Sequence, residues 1–164
     1  YIQGQNPFCM CGGTGTQGWK IYFHYYSYFY VFDTSNVGQY GKYTHYPQPG
    51  PTGYPILNQW YNLVGVKGDN ADSNNVKIYQ DGVVGDTIGT ATGIGYDNGI
   101  YPSAALPNSA AIGSMYASGS NPGENVNNQN PWSGDIGPVM IWDRELAAAE
   151  VLEIFNASKD RFNK

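Results

Sequence analysis

The nine residues VKIYQDGVV at positions 76–84 constrain the fold more than any other stretch of the chain. Asp81-Gly82 supplies the two positive-φ residues of a type I′ turn, whose twist matches that of the strands it joins, and β-branched residues flank it. An antiparallel hairpin follows, with 76–80 pairing back on 83–84, and hairpins of this kind belong to sheet-built folds. Composition agrees. Gly is 22 of 164 residues and Tyr 15, while only 13% of residues are charged against roughly 25% in an average soluble protein. Glycine favours turns and tyrosine favours strands.

Other segments read the same way. WKIYFHYYSYFYVFD at 19–33 divides into strands over about 19–25 and 28–33 with a turn near Ser27. Residues 34–58, with four prolines and four glycines, read as an exposed loop or lid. Alternation returns in WYNLVGVK at 60–67, and GDNADSNN at 68–75 is a turn region. Residues 85–110 offer short strands only, Ala111-Ile112-Gly113 reads as a small strand, and 117–131 is a loop by composition. Ile136 to Trp142 reads as a strand whose Ile136, Val139, Ile141 and Trp142 join the core. A helix starts at Leu146, with Val151, Ile154 and Phe155 on one side and Glu150, Glu153 and Lys159 opposite. Leu146 and Val151 are spaced as a hydrophobic staple around an N-cap at Ala147, with Glu150 at the third helical position. Alanine there has no oxygen to accept an amide hydrogen bond.

The length suits one domain, 1–164, and 41% hydrophobic residues suffice for a core. Eight basic residues against 13 acidic ones leave a net charge of −5 with no basic run, which disfavours a nucleic-acid partner. Apolar runs break well before the roughly 18 residues of a spanning helix, which argues against membrane insertion. The opening on Tyr1 reads as a processed product or a piece of something longer. Cys9 and Cys11 would share one face of a strand, a poor geometry for a mutual disulfide, and His24 and His45 lack ligand spacing. Two reduced, buried thiols are expected.

The succession of the Trp60–Val66 strand, VKIYQDG, AIG and WSGDIGPVMIWDRELAAAEV resembles a concanavalin A-like lectin/glucanase domain of the laminin G and pentraxin type. The tail EVLEIFNASKDRF is similar to those of such domains at the C-termini of bacteriophage virion proteins. The resemblance implies an all-β fold, an antiparallel two-sheet jelly-roll sandwich with one short C-terminal helix covering one end. It also implies that the family's first strand is missing or supplied from outside 1–164. By the same resemblance the chain would be a carbohydrate-binding or adhesion module on the virion surface, extracellular, contacting host-surface glycans. The second reading is a structural decoration or fibre protein that keeps the fold without the sugar. Other virion chains and copies of itself, as a homo-oligomer, are the expected partners.

Catalysis is not expected. Glucanases of this fold use a Glu-x-Asp-x-x-Glu strand, and the four glutamates here, Glu124, Glu145, Glu150 and Glu153, do not form one. Calcium is the one cofactor in question, because family members hold it in rim loops; Asp69, Asp72 and Asp97 supply suitable oxygens. Sugar rings stack on aromatic faces, and residues 38–61 combine such rings with Pro-stiffened backbone. Tyr43, Tyr46, Tyr54 and Trp60 are the candidates for stacking, and Asn58, Gln59 and Asp97 for polar contacts.

Overall fold

A computed structural model of the chain describes residues 5–12, 17–23, 26–32, 41–47, 56, 58–68, 76–85, 110–113 and 131–162. They form an all-β domain of two antiparallel sheets with one short C-terminal helix. The larger sheet is built from β1 (Gln5–Gly12), β2 (Gln17–Phe23), β3 (Tyr26–Phe32), β4 (Gly41–Pro47) and β8 (Ala110–Ile112), in the order β4-β3-β2-β1-β8. Its first four strands are a meander in sequence order, and β8 joins later at the β1 edge. The smaller sheet holds β5 (Leu63–Lys67), β6 (Val76–Gln80) and β7 (Val83–Val84), in the order β5-β6-β7.

Register sorts the aromatic run into two faces. Ile21 stands opposite both Phe8 and Phe29, and Phe23 stands opposite Ser27. These side chains therefore share the face turned to the smaller sheet, where Phe8, Phe23, Ser27 and Phe29 are buried. Tyr22 and Tyr28 are paired on the opposite face with ring centroids 5.8 Å apart. β3 starts at Tyr26, so Ser27 lies inside a strand rather than at the turn the sequence suggested. Within 34–58, read as a loop, residues 41–47 are an edge strand that ends on Pro47; proline is tolerated at an edge because no ladder amide is needed there.

The smaller sheet is covered on both sides. Val76 and Ile78 point to the larger sheet and pack with Phe29, Trp19 and Ile21. Val64, Val66 and Tyr79 point away, into a second cluster with Leu146, Val151 and Ile154. Gly65 lies directly under the Phe29 ring: a Cβ there would sit 2.4 Å from a ring carbon, so only glycine permits this approach of the sheets. A buried hydrogen bond, Ser27 Oγ donating to Gln80 Oε1 at 2.7 Å, ties the two layers. Asp81 and Gly82 have φ of 52° and 79°, as the type I′ turn requires.

Helix α1 (Ala148–Ser158) packs on the outer face of the smaller sheet, not over an end of a sandwich. Ala147 is its N-cap. The Glu150 carboxylate accepts the Ala147 N–H at 2.8 Å, half of a capping box, and receives both guanidinium nitrogens of Arg144 at 2.9 and 2.6 Å. Those contacts, the Arg144 fork first, hold the Glu150 carboxyl down at about 2. Leu146 and Val151 are buried, as the staple predicts, whereas Phe155 is half-buried over the hairpin turn, where a Cβ on Gly82 would meet Leu152 and Phe155.

One expected strand is not formed. Residues 136–142 have no regular secondary structure, and Val139, Met140, Ile141 and Trp142 are exposed rather than in the core, while Ile136 and Gly137 are half-buried. Trp132 is instead the anchoring residue: its N–H donates to Gly113 O at 2.8 Å and its ring meets Phe23 edge-on at 5.5 Å.

Candidate functional site

The smaller sheet covers only part of the larger one. Among the described residues β6 packs over β3 and β4, and β5 lies over β3. Beyond the β5 edge the inner face of β1 and β2 is the floor of a cleft of about 990 Å³. One wall is formed by residues 58–67, the other by 132–146, and the helical end is closed by Ile154, Phe155 and Phe162.

Three of the residues singled out in the sequence meet at this cleft: Asn58, Gln59 and Trp60. Asn58 occupies a left-handed turn position, φ 59°, which asparagine tolerates better than most residues. Trp60 packs against Phe162 at 4.8 Å between ring centroids, with Gly137 backed against the same pair. Part of its surface is thus committed to packing. Tyr43 and Tyr46 lie on the edge strand β4, opposite Tyr30 and Ser27 of β3, and their side chains fall outside the described residues. Tyr54 and Asp97 fall outside them altogether, as do the calcium candidates Asp69 and Asp72. Among the described residues no three His, Cys, Asp or Glu side chains are grouped to hold a metal ion.

The cleft also recruits residues that sequence reasoning missed. Tyr61 accepts the Ile56 N–H on its hydroxyl at 2.8 Å, and burial pushes its pKa up. Asn62 exchanges two bonds with the hairpin turn: its N–H donates to Asp81 Oδ1, and its carbonyl accepts the Asp81 N–H, both at 2.9 Å. The Asn62 side-chain oxygen is buried and has no hydrogen-bond partner. The signal in the sequence was the amide-and-aromatic string Asn58-Gln59-Trp60-Tyr61-Asn62, whose last two members read as ordinary strand residues. Ser133, across the cleft, is held by its N–H donating to Gln5 Oε1 at 3.1 Å.

Chemically, this is a concave surface with aromatic rings beside carboxamides. Arg144 and Glu150 are paired with each other and the Asp81 carboxylate accepts a backbone amide, so these groups serve local structure. No helix among the described residues is long and apolar enough to cross a membrane.

No family model matches the chain, and no curated protein matches it. Among solved structures, a crystal structure of an S-layer domain-containing protein from Clostridium thermocellum is similar at 15% identity with a TM-score of 0.35, over 94% of this chain. The match spans 64% of that chain's length. A TM-score at that level does not establish a shared fold.

Proposed function

We propose that this chain is a non-enzymatic carbohydrate-binding or adhesion module of a virus particle, extracellular and displayed on the virion surface to meet host glycans. The fold in this proposal is a jelly-roll sandwich of the concanavalin A-like, laminin G and pentraxin type. The observation that carries the sugar reading is the cleft, in which Trp60 and Tyr61 stand beside the amides of Asn58 and Gln59. A ligand rich in hydroxyls exchanges hydrogen bonds with such amides while its C–H faces lie on the rings.

A structural role in the virion, as a decoration or fibre protein, is the second reading. The exposed Val139–Trp142 run favours it, because contiguous apolar surface marks contact with other chains. Homo-oligomeric assembly belongs to both readings.

A glycan array separates them, run on the wild type beside Asn58→Gly and Gln59→Ala. Glycine keeps the left-handed backbone at 58 while removing the amide, and Gln59 is exposed. Both variants should keep the wild-type melting temperature and lose binding. A wild type that binds no glycan on the array supports the structural role instead.

A further inference from the structure

We infer that the section of the cleft walled by residues 138–142 holds an aliphatic chain, so that the ligand is a glycan carried on an alkyl tail rather than a soluble sugar. The glycan half of that ligand rests on the reading above. Its aliphatic half rests on the cleft alone.

Polarity changes along the wall. At one end Gly137 is backed against Trp60, beside Asn58 and Gln59 with their carboxamides. From there the chain leads through 138–142 toward Leu146 and the start of α1. Between Asp135 and Asp143 the seven residues IGPVMIW carry no charge, and their one strong hydrogen-bonding side-chain group is the Trp142 indole N–H. The floor across from them is apolar too: Phe8, Trp19 and Ile21 line it, and Trp19 and Ile21 are only half-buried.

Exposure is the second observation. Val139, Met140, Ile141 and Trp142 are 41%, 56%, 63% and 38% exposed, and all four line the cleft. Contiguous apolar surface marks a contact site, and the surroundings decide its chemistry. A stable interface with a second protein takes about 20–30 residues a side, whereas this is a run of four in a concavity. A peptide would bring an amide at every residue into a section whose side chains offer almost no partner for it. An alkyl chain brings no polar group, so its burial leaves no donor or acceptor unpaired. The cleft volume of about 990 Å³ is at the upper end of the range for small-molecule sites, about 300–1,000 Å³. With its tail along 138–142, such a ligand presents its head beside Trp60, where the carboxamides are.

Isothermal titration with alkyl maltosides below their micelle concentrations tests the inference, with maltose as the chainless control. Decyl maltoside should bind about tenfold or more tighter than octyl maltoside, because each buried methylene is worth about fourfold in affinity. Met140→Asp and Ile141→Asp each put a charge at an exposed position. Both should keep the wild-type melting temperature and lose the dependence on chain length; if one is destabilised, the other stands in for it. Equal affinity for octyl and decyl maltoside would overturn the inference. A dependence that survives both substitutions would do the same, since the detergent would then be on another apolar surface. So would a wild-type dimer in sedimentation that Ile141→Asp dissociates, which would make a second copy the occupant. A wild type that binds no glycan on the array, yet keeps the chain-length dependence and loses it in the variants, would overturn the sugar reading and uphold the aliphatic site.

Discussion

Gly65 and Phe29 show how closely the two sheets depend on single atoms. A methyl group at 65 would lie 2.4 Å from the Phe29 ring, and a ring packed between Val76, Ile78 and Trp19 has little room to move. Gly65→Ala is therefore expected to destabilise the fold by about 1–3 kcal/mol, as overpacking does, measurable as a lowered denaturant midpoint with unchanged slope. An unchanged midpoint would mean that the sheets separate without cost at that point. At this scale the sequence was legible where chemistry is local. Asp81-Gly82 announced its dihedral angles, and Leu146, Ala147, Glu150 and Val151 announced the helix start. The partner of Gly65 was not legible, because the ring that requires it lies 36 positions away by their numbers, and neither was the lone Asn62 acceptor, which depends on what walls the cleft.

Elements carry the next set of expectations. Glu150 is held at about 2 by Arg144 and the Ala147 amide, against an ordinary value of 4.5. A carboxyl with a depressed folded pKa stabilises the fold above its unfolded pKa and loses that contribution as pH falls through the folded one. The melting temperature should thus fall between pH 4.5 and about 2, and Glu150→Gln should flatten that decline; an identical pH profile in the variant would remove the cap from the acid response. In the same helix, Leu146→Ala should cost about 2–5 kcal/mol, whereas Glu153→Ala, at an exposed position, should stay within about 0.5 kcal/mol. Equal effects in thermal unfolding would place the helix off the sheet. The hairpin and the helix were readable because turn chemistry and helical spacing act over a few residues. β4 was hidden by the prolines and glycines around it, although Tyr43 and Thr44 are good strand residues, since an edge strand needs only one partner and tolerates such neighbours. Residues 136–142 failed in the opposite sense: their strand propensity is real, but a strand also needs a paired neighbour, and pairing is not encoded in the segment itself.

Across the whole molecule, three layers share two cores, with the smaller sheet between the larger sheet and α1. Neither core can be removed without exposing a face of that middle sheet, so the layers should unfold together. Far-UV circular dichroism at the helix band and tryptophan fluorescence, which includes Trp19 in the inter-sheet core, are expected to give coincident denaturant transitions. A helix signal lost at a lower denaturant concentration would show that α1 is a separate unit.

The order of the layers in space also sets an order in time. β1 to β4 follow one another along the chain and pair with their immediate neighbours, so that sheet can form as soon as residue 47 has left the ribosome. Its apolar side, with Phe8, Phe23 and Phe29, then waits for β6, and the outer side of β5 and β6 waits in turn for Leu146 and Val151. During synthesis the protein should pass through two stages in which paired strands present an apolar face without its cover, the first until β6 is made and the second until α1 is made.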